Sequence, residues 1–458
     1  MSEERQKTQL ELAFATEGTG EAPSPVVEGA ETFAAACEPE SPESTEQLME
    51  EVCERENLKK ALKRVRSNRG SPGVDGMTVD ELPGYLTERW PALRDQLLSG
   101  AYVPQAVKRV EISKPGGGVR RLGVPTALDR FIQQAVLQVL QPSWDPTFSE
   151  HSYGFRPGRS AHQAVAQAQT YIANGHGFVV DLDLEKFFDR VNHDMLMGRV
   201  SKRVKDKRLL KLIRGFLNAG VMEDGLAGPT EEGVPQGGPL SPLLSNLMLD
   251  DLDRELERRG HRFVRYGDDC NVYVRSERAG QRVMESLRQF ITNKLKLQVN
   301  EAKSAVARPQ ERKFLGFRFT SGRQLKRCIA PQALRQFKKR VRELTRRNRG
   351  VSLQQMIWRL ARYLRGWRAY FGFCETTAVF RDLDSWIRRR LRCVIWKQWK
   401  TFRRRRNGLI ARGLDERAAA LAASRSNGPW RLSHTKAMHV AFPNAYFDSL
   451  GLPTLAAR

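Results

Sequence analysis

Two adjacent carboxylates stand in the middle of a segment that otherwise has the composition of a β-strand. The segment is RYGDDCNVYV, residues 265–274, and its acids are Asp268 and Asp269. Strands favour apolar and β-branched residues, so two like charges at this place need a physical reason. A surface hairpin is one such reason, because turns commonly contain Gly and Asp. A bound metal ion is another, and the GDD triplet alone does not decide between them.

A third carboxylate, Asp183, ends the apolar run FVVDLD at residues 178–183. In two-metal phosphoryl transfer, two Mg²⁺ ions about 4 Å apart activate the attacking oxygen and stabilise the leaving one. Mg²⁺ prefers oxygen ligands, whereas acids buried together without a cation repel one another. Strand alternation places Asp268 on the face of Tyr266 and turns Asp269 away, unless the hairpin turn rotates it. We therefore predict Asp183 and Asp268 as principal metal ligands and Asp269 as an auxiliary one.

The charge of the chain is unevenly distributed. The 458 residues carry a net charge of +25, but residues 1–50 contain twelve Glu against two basic residues, a balance of −10. The rest of the chain therefore carries about +35. Such a surface attracts polyanions, because Lys and Arg that neutralise phosphates are the usual source of nucleic-acid affinity. A basic globular protein without a nucleic-acid partner is the alternative.

Other protein classes are disfavoured by the cysteines and by the hydropathy pattern. The six cysteines are scattered, without a CxxC pair or a Cys/His cluster at zinc spacing, which argues against a disulfide scaffold and a zinc-bearing nuclease module. No run of 18 apolar residues occurs, and the first residues lack a basic flank followed by an apolar stretch. We expect a cytoplasmic protein without a membrane span. Residues 1–48 lack apolar periodicity, which predicts a disordered acidic tail.

The apolar patterning predicts alternating helices and short strands up to about residue 320, then long basic helices. A helix is predicted from Gln47 to about residue 68, and a continuous helical segment is predicted over KFFDRVNHDMLMGRV, residues 186–200. Beyond residue 330, apolar residues form one face of each helix and Arg residues are dense on the other. The remaining predicted elements are a helix near 79–98, two strands joined by a Gly turn before a helix over 127–140, a strand at 178–183, helices over 206–219 and 241–259, and a hairpin over 262–275.

Several motifs occur in a fixed order along the chain. Three of them resemble the palm motifs of reverse transcriptases, most closely those of group II intron-encoded reverse transcriptase/maturases of the nuclease-lacking bacterial type: DLDLEKFFDRVNHD at 181–194, GVPQGGPLSPLLSN at 233–246 and YGDD at 266–269. The flanking segments resemble further parts of the same family. These are the finger motifs at 113–136 and 152–165, the closing palm segments at 295–306 and 313–319, the thumb segment LARYLRGWRAYFGF at 360–373, and the short C-terminal end at 428–455.

The resemblance implies an α+β fold of the right-hand polymerase type, with α/β fingers and palm, an α-helical thumb and a small basic C-terminal domain. The domains expected from it are an acidic tail at 1–48, an N-terminal helical extension at 49–110, fingers and palm at 111–325, a maturase thumb at 326–400 and a basic DNA-binding end at 401–458. The segment FRRRRNG in that last region suits phosphate contact.

The resemblance also implies roles for single residues. Asp183 matches the first catalytic aspartate, and Asp268 and Asp269 match the pair in the turn, so these three are the expected catalytic residues and ligands of two Mg²⁺ ions. Lys114 and Arg120 match the finger residues that hold the incoming triphosphate, which suits cations facing phosphate oxygens.

Three further positions match residues near the incoming nucleotide. Gln236 matches a residue that lies against the sugar, and Lys303 matches a palm lysine near the site. Phe188, five residues after Asp183, matches a bulky aromatic under the sugar that excludes the 2′-OH and so favours deoxynucleotides. The alternative for Phe188 is an ordinary core aromatic beside Phe187.

The function implied is that of an RNA-directed DNA polymerase and maturase. It would bind group II intron RNA to promote splicing, and it would copy an RNA template from a DNA primer with dNTPs during retrohoming into a DNA target. Without a nuclease module it would borrow a primer strand. Two alternatives stay open: a domesticated or defence-associated reverse transcriptase without an intron, and an RNA-binding splicing factor with a vestigial polymerase site. Gly267 departs from the Ala usual at that position, and both residues are small enough for a primer end to approach.

Overall fold

The structure is a computed structural model that describes residues 46–113, 119–223, 226–228, 232–234, 237–322, 324–347 and 350–456. The chain folds as two compact units, Met1–Arg312 and Lys313–Arg458. Among the described residues, no helix combines the length and the apolar character that crossing a bilayer requires.

The first unit combines helices with two four-stranded sheets. Its helices are α1 Leu48–Val52, α2 Arg55–Ser67, α3 Leu82–Leu98, α4 Ala127–Trp144, α5 Ala161–Ala173, α6 Phe187–Arg190, α7 His193–Arg203, α8 Lys207–Asn218, α9 Ser241–Arg258 and α10 Glu277–Phe290, which continues as a π-helical turn, Ile291–Leu295. Its strands are β1 Val107–Ser113, β2 Val119–Val124, β3 Phe178–Leu182, β4 Val221–Glu223, β5 Leu226–Gly228, β6 Arg262–Tyr266, β7 Asp269–Val274 and β8 Ala305–Ala307.

The strands pair into two separate sheets. One has the order β2-β1-β4-β5, in which β1 and β2 form an antiparallel hairpin. The other, which we call the site sheet, has the order β6-β7-β3-β8 and is antiparallel throughout. Strand β3 lies between β7 and β8, and its Val179 and Val180 are buried because a central strand is covered on both faces. The apolar run before Asp183 is therefore explained by the position of β3 in the sheet.

Helix starts in this unit follow local capping chemistry. Thr126 caps α4, because its hydroxyl accepts a hydrogen bond from the backbone N–H of Asp129. Ser160 and Gln163 form a reciprocal capping box at the start of α5. Helix α4 is buried around most of its circumference, including its polar residues, and it packs in the core with the apolar face of α9. The order of these elements confirms the prediction that helices and short strands alternate up to about residue 320.

Two predicted continuous helices are each interrupted. The helix expected from Gln47 to residue 68 divides into α1 and α2, because Glu54 adopts an extended backbone with ψ 137°. The helical segment expected over 186–200 divides into α6 and α7, where Asn192 is extended and its side chain accepts from the N–H of Met195. Both predictions of continuity were wrong, since an apolar spacing of three and four residues does not reveal one or two extended residues between two helices.

The second unit is helical apart from a two-stranded sheet of β9 and β10. Trp367 packs its ring against Phe337 with centroids 4.2 Å apart and against Phe380 at 6.1 Å, and this aromatic cluster forms part of the core. The carboxylate of Asp384 accepts hydrogen bonds from the backbone N–H groups of residues 455 and 456, which holds the C-terminal segment. The elements are β9 Phe317–Phe319, β10 Arg327–Ile329, α11 Pro331–Leu344, α12 Leu353–Phe371, α13 Ala378–Gln398, α14 Phe402–Ile410, α15 Glu416–Ser424, α16 Pro429–Leu432, α17 Lys436–Ala441 and α18 Asn444–Ser449.

Candidate active site

The hairpin of β6 and β7 carries the two adjacent aspartates. Tyr266 pairs with Asp269, which leaves Gly267 and Asp268 as the two residues of the turn. Gly267 has φ 64°, the left-handed value that primed hairpin turns require at their first central position. Asp268 is half-buried and Asp269 is exposed.

The turn changes which aspartate lies on which face. Residues that pair directly across an antiparallel ladder lie on the same face, so Asp269, and not Asp268, lies on the face of Tyr266. The face expected for Asp268 was therefore wrong, because Asp268 belongs to the turn, where strand alternation does not apply. The ranking of Asp268 above Asp269 as a metal ligand remains a prediction.

The register between β3 and β7 relates Asp183 to the hairpin. Asp181 pairs with Asn271, and Leu182 pairs with Cys270. Carried one residue beyond β3, the same alternation puts Asp183 next to Asp269, on the face of the site sheet that also carries Asp181 and Asn271. Pairing between strands that are distant in sequence thus brings the first predicted carboxylate to the end of the sheet where the turn lies.

The Asp183 carboxylate forms an ion pair with Lys303. The Lys303 Nζ donates to both carboxylate oxygens, at 3.0 Å and 3.1 Å. The backbone of Asp183 is held from both sides: its N–H donates to the Ser304 hydroxyl at 3.0 Å, and its carbonyl accepts from the N–H of Asn300 at 2.8 Å. The Asp183 side chain is 26% exposed and that of Lys303 61%, so the pair lies at the protein surface.

The donor set is suited to a hard divalent cation. Asp183, Asp268 and Asp269 offer carboxylate oxygens from one end of the site sheet, and oxygen ligands are those that Mg²⁺ takes. Asp181, on the same face, is engaged by Arg312, whose Nε donates to it at 2.7 Å. Within the described ranges, no group of three or more His, Cys, Asp or Glu is arranged closely enough to hold a metal. The three predicted aspartates thus have the ligand chemistry of a Mg²⁺ site, but they are not gathered closely enough in this structure to form one, and Lys303 occupies one side of Asp183.

Phe188 lies in the short helix α6, one turn after the chain leaves β3. Its ring packs edge to face on Phe187 with centroids 5.2 Å apart, and its carbonyl accepts from the N–H of Val234 at 2.6 Å. Phe187 is 2% exposed and belongs to the core, whereas Phe188 is only half-buried. Phe188 is thus not a fully buried core aromatic, and it bonds to the segment before the PQGGP loop.

Three predicted substrate contacts lie outside what the structure describes. Lys114 and Gln236 are not among the described residues, and for Arg120 only the backbone is described, in β2 opposite Ile112. The residue after Gln236 is placed: a Cβ on Gly237 would lie 2.6 Å from the carbonyl oxygen of Gly123 in β2. Gly237 therefore lies against β2, the strand that carries Arg120.

A buried ionic network is hydrogen-bonded to the backbone of the turn, and the sequence analysis did not predict it. Arg265 is completely buried, and its Nε and Nη2 donate to the two carboxylate oxygens of Asp253 at 2.7 Å and 2.5 Å. Its Nη1 donates to the side-chain oxygen of Asn246 and to the carbonyl oxygen of Gly267, both at 3.0 Å. A charged residue within an apolar strand, together with acids inside the otherwise apolar helix α9, was the signal available in the sequence.

The loop SYGF at 152–155 contacts the same turn directly. A Cβ on Gly154 would lie 2.2 Å from the backbone nitrogen of Gly267, so the two backbones are in contact there. The Asn246 amide donates to the carbonyl of Gly154 at 2.9 Å, which ties this loop to the buried network. Phe155 covers the turn, because its ring would meet a Cβ on Gly267 at 3.0 Å. The aspartate turn is thus held from α9, from β6 and from the 152–155 loop.

Comparison with known proteins identifies two family domains in the chain. Residues 112–319 match the family model described as reverse transcriptase (RNA-dependent DNA polymerase), and residues 334–409 match the group II intron, maturase-specific domain. Protein YkfC of Escherichia coli K12 is 31% identical over 355 residues, which cover 69% of this chain and 92% of YkfC.

Two other relatives carry intron names. The group II intron-encoded protein LtrA of Lactococcus lactis is 30% identical over 323 residues, which cover 56% of this chain and 54% of LtrA. The putative COX1/OXI3 intron 2 protein of Saccharomyces cerevisiae is 30% identical over 247 residues, which cover 52% of this chain and 28% of that protein. The chain therefore spans about half the length of LtrA.

The matched domain and the mixed helix-and-sheet fold that contains it define a reverse transcriptase, an RNA-directed DNA polymerase of the nucleotidyltransferase class. Since the maturase-specific domain follows it, the chain belongs to the group II intron-type reverse transcriptase/maturase family. The resemblance stated from the motifs and the expected α+β polymerase fold are both confirmed.

Proposed function

We propose that the protein extends the 3′-OH of a DNA primer on an RNA template with dNTPs, using two Mg²⁺ ions held by Asp183, Asp268 and Asp269. The observation that supports this proposal is the register of β3 against β7, in which Leu182 pairs with Cys270; carried one residue further, it would put Asp183 beside Asp269, next to the turn that contains Asp268. When bound, the metal ions would activate the primer oxygen and stabilise the leaving pyrophosphate.

The protein's own residues would position the nucleotide. Lys114 and Arg120 would hold its triphosphate, Gln236 would lie against its sugar, and Phe188 would exclude a 2′-OH. The half-buried position of Phe188 at the start of α6 is compatible with such a contact, since a fully buried ring could not reach a nucleotide. Lys303 would balance the charge of Asp183 before a metal ion binds. Positioning and charge stabilisation supply most of the rate enhancement in phosphoryl transfer.

The second unit would serve the maturase role. We propose that it binds group II intron RNA and stabilises the folded, splicing-competent form, and that the protein copies the intron during retrohoming into a DNA target in the cytoplasm. Its helices α11 to α14 are rich in Arg, including FRRRRNG in α14, and cations on a helical surface suit phosphate contacts.

The decisive experiment is primer extension with purified protein, comparing dNTPs with NTPs in the presence of Mg²⁺. Incorporation of dNTPs is expected, and its absence would refute the polymerase proposal. Asp268→Asn should abolish incorporation and leave RNA binding largely intact. Asp194→Asn is a matched control, because Asp194 is an exposed aspartate outside the site, paired with Arg214. Equal use of NTPs and dNTPs would refute the role given to Phe188.

Two alternatives would give different outcomes. A splicing factor with a vestigial site would bind and help splice its RNA without incorporating dNTPs. A domesticated or defence-associated reverse transcriptase would incorporate dNTPs but lack intron partner RNA. The sequence flanking the gene distinguishes the second alternative cheaply, because a maturase gene lies within an intron whose flanks fold as a ribozyme.

A further inference from the structure

A cleft in the second unit collects arginines that the site described above does not use. A cavity of about 320 Å³ is lined by side chains from the C-terminal end of α11 and from α13. We call it the arginine cleft and define it by Arg342, Arg347, Arg390 and Trp386. A wider opening of about 900 Å³ shares the three arginines and adds further cations and one acid, Glu343.

The arginines of this cleft are held in place by neutral groups. The Arg390 Nε donates to the Thr345 hydroxyl at 2.7 Å, and its Nη2 reaches the carbonyl oxygens of Arg342 and Thr345 at 3.4 Å. Arg342 and Arg390 both lie over the ring of Trp386, at 5.7 Å and 5.4 Å from its centroid. Arg390 on its own is explained by its place at the C-terminal end of α11, because the helix dipole stabilises a cation there.

The dipole of α11 also favours Arg342, which lies in the last turn of that helix, but it does not explain why three arginines gather around one cavity. Among the described residues, no carboxylate lies within ion-pair distance of Arg342, Arg347 or Arg390. Glu343, the acid nearest in sequence, pairs with Arg340 at 3.1 Å. Burial, followed by the charges of Arg342 and Arg347, lowers the pKa of Arg390 from its usual value. Three guanidinium groups that repel one another around one cavity are stabilised when an anion enters it.

We propose that the arginine cleft binds a backbone phosphate of unpaired RNA, with Arg342 and Arg347 as direct contacts and Arg390 as a cation held behind them. This proposal rests on the RNA-binding role proposed above and assigns one RNA contact of the second unit to the arginine cleft. Guanidinium groups match phosphate oxygens in bidentate geometry. RNA is favoured over a free anion because two indoles line the same cavity. The Arg389 guanidinium lies over the Trp430 ring, 4.1 Å from its centroid, and Trp430 is 39% exposed, so a base would stack on the exposed part of this ring.

The test measures binding of a labelled single-stranded 20-nucleotide RNA to the full-length protein at several KCl concentrations. The double variant Arg342→Gln/Arg347→Gln should bind roughly tenfold more weakly near physiological salt, and the slope of log Kd against log salt should fall by about 0.7, since one neutralised phosphate on a single strand accounts for about 0.7. Arg335→Gln/Arg340→Gln is the matched control, because it removes two charges from the same helix outside the cleft. Its slope should stay near that of the wild type.

Two further arms separate a phosphate contact from other causes. Arg342→Lys/Arg347→Lys keeps both charges, so the salt slope should recover, whereas a folding defect would not be rescued in this way. With a DNA probe of the same sequence, the Gln double variant should lose affinity by a factor equal to or smaller than the factor found with the RNA probe. Trp430→Ala should weaken binding of the single strand and not of an RNA duplex, whose bases are already stacked.

Specific results would overturn the proposal. A folded Gln double variant with a wild-type salt slope, or a loss seen with DNA alone, would show that the cleft does not hold an RNA phosphate. These failures are distinguishable from failure of the proposed function, because wild-type protein would still bind RNA and extend a primer. If the wild type binds no RNA at all, the proposed function fails first and the cleft proposal fails with it.

Discussion

Arg265 and Asp253 form a bidentate ion pair with no exposed side-chain surface, with N···O distances of 2.7 Å and 2.5 Å. The third nitrogen of the same guanidinium group donates to the carbonyl oxygen of Gly267, the first residue of the aspartate turn. The position of the turn is therefore coupled to a pair between β6 and α9. A buried ion pair is costly to desolvate, so its function here is better sought in positioning than in stability.

Breaking this pair from one side should destabilise the protein strongly. Asp253→Asn leaves Arg265 charged and buried without its partner, and such changes cost about 3–5 kcal/mol. Urea unfolding monitored by circular dichroism would measure the loss. Arg258, paired with Glu255 on the surface of α9, provides the control: Arg258→Gln should barely change the unfolding midpoint.

Replacing both partners separates positioning from stability. Asp253→Leu/Arg265→Met should recover much of the free energy of unfolding, because no unpaired charge remains buried. Primer extension should nevertheless stay impaired, since Gly267 has lost the donor that holds its carbonyl. Full activity in the double variant would contradict the positioning role.

Gly267→Ala should disturb the turn in two ways. The backbone at φ 64° costs a residue with a Cβ about 1–2 kcal/mol, and the new methyl group would meet the Phe155 ring at 3.0 Å. Gly260→Ala is the control, because Gly260 has φ 70° and a Cβ there meets no atom within 4 Å. Both variants should lose stability in thermal unfolding, but only Gly267→Ala should slow primer extension. Phe155→Leu should relieve part of that defect, and equal rates for the two alanine variants would contradict the contact.

Lys303→Met should strengthen the binding of Mg²⁺. Lys303 donates to both oxygens of Asp183, so an incoming cation must compete with its ammonium group. Surface pairs are worth up to about 1 kcal/mol, which limits the gain in affinity to about fivefold. Isothermal titration calorimetry with Mg²⁺ measures this affinity independently of polymerase activity. Lys294→Met, a change at an exposed lysine outside the site, should leave the affinity as it was.

The stability of the first unit should depend on the protonation of His151. Burial lowers the pKa of this histidine below its usual value of 6.5, and its Nδ1 lies 3.1 Å from the Tyr171 hydroxyl. Below pH 6.5 the unfolded chain therefore binds a proton more readily than the folded protein, so stability falls as the pH falls through this range. Urea unfolding between pH 7.5 and pH 5 would measure the slope. His151→Gln should reduce this slope, and an unchanged slope in that variant would contradict the role of His151.

Much of the candidate site could be predicted from the amino-acid sequence. The motif order identified the family, and the apolar strand before Asp183 and the hairpin around Asp268 are found where the patterning placed them. These features are local, because an apolar run and a two-residue turn are recorded in consecutive residues. The breaks between α1 and α2 and between α6 and α7 were missed, since the apolar spacing does not reveal the extended backbone at Glu54 and Asn192 from which α2 and α7 start.

By itself, then, the sequence determined the residue types, the family and the short elements that carry them. Only the tertiary structure decided that Asp269 lies on the Tyr266 face, that Asp183 meets Lys303, and that Arg265 reaches Gly267. Each of these relationships joins residues through a turn geometry, a strand register or a buried side-chain network. Such contacts arise when distant segments pack together, and a single sequence contains no periodicity that records them.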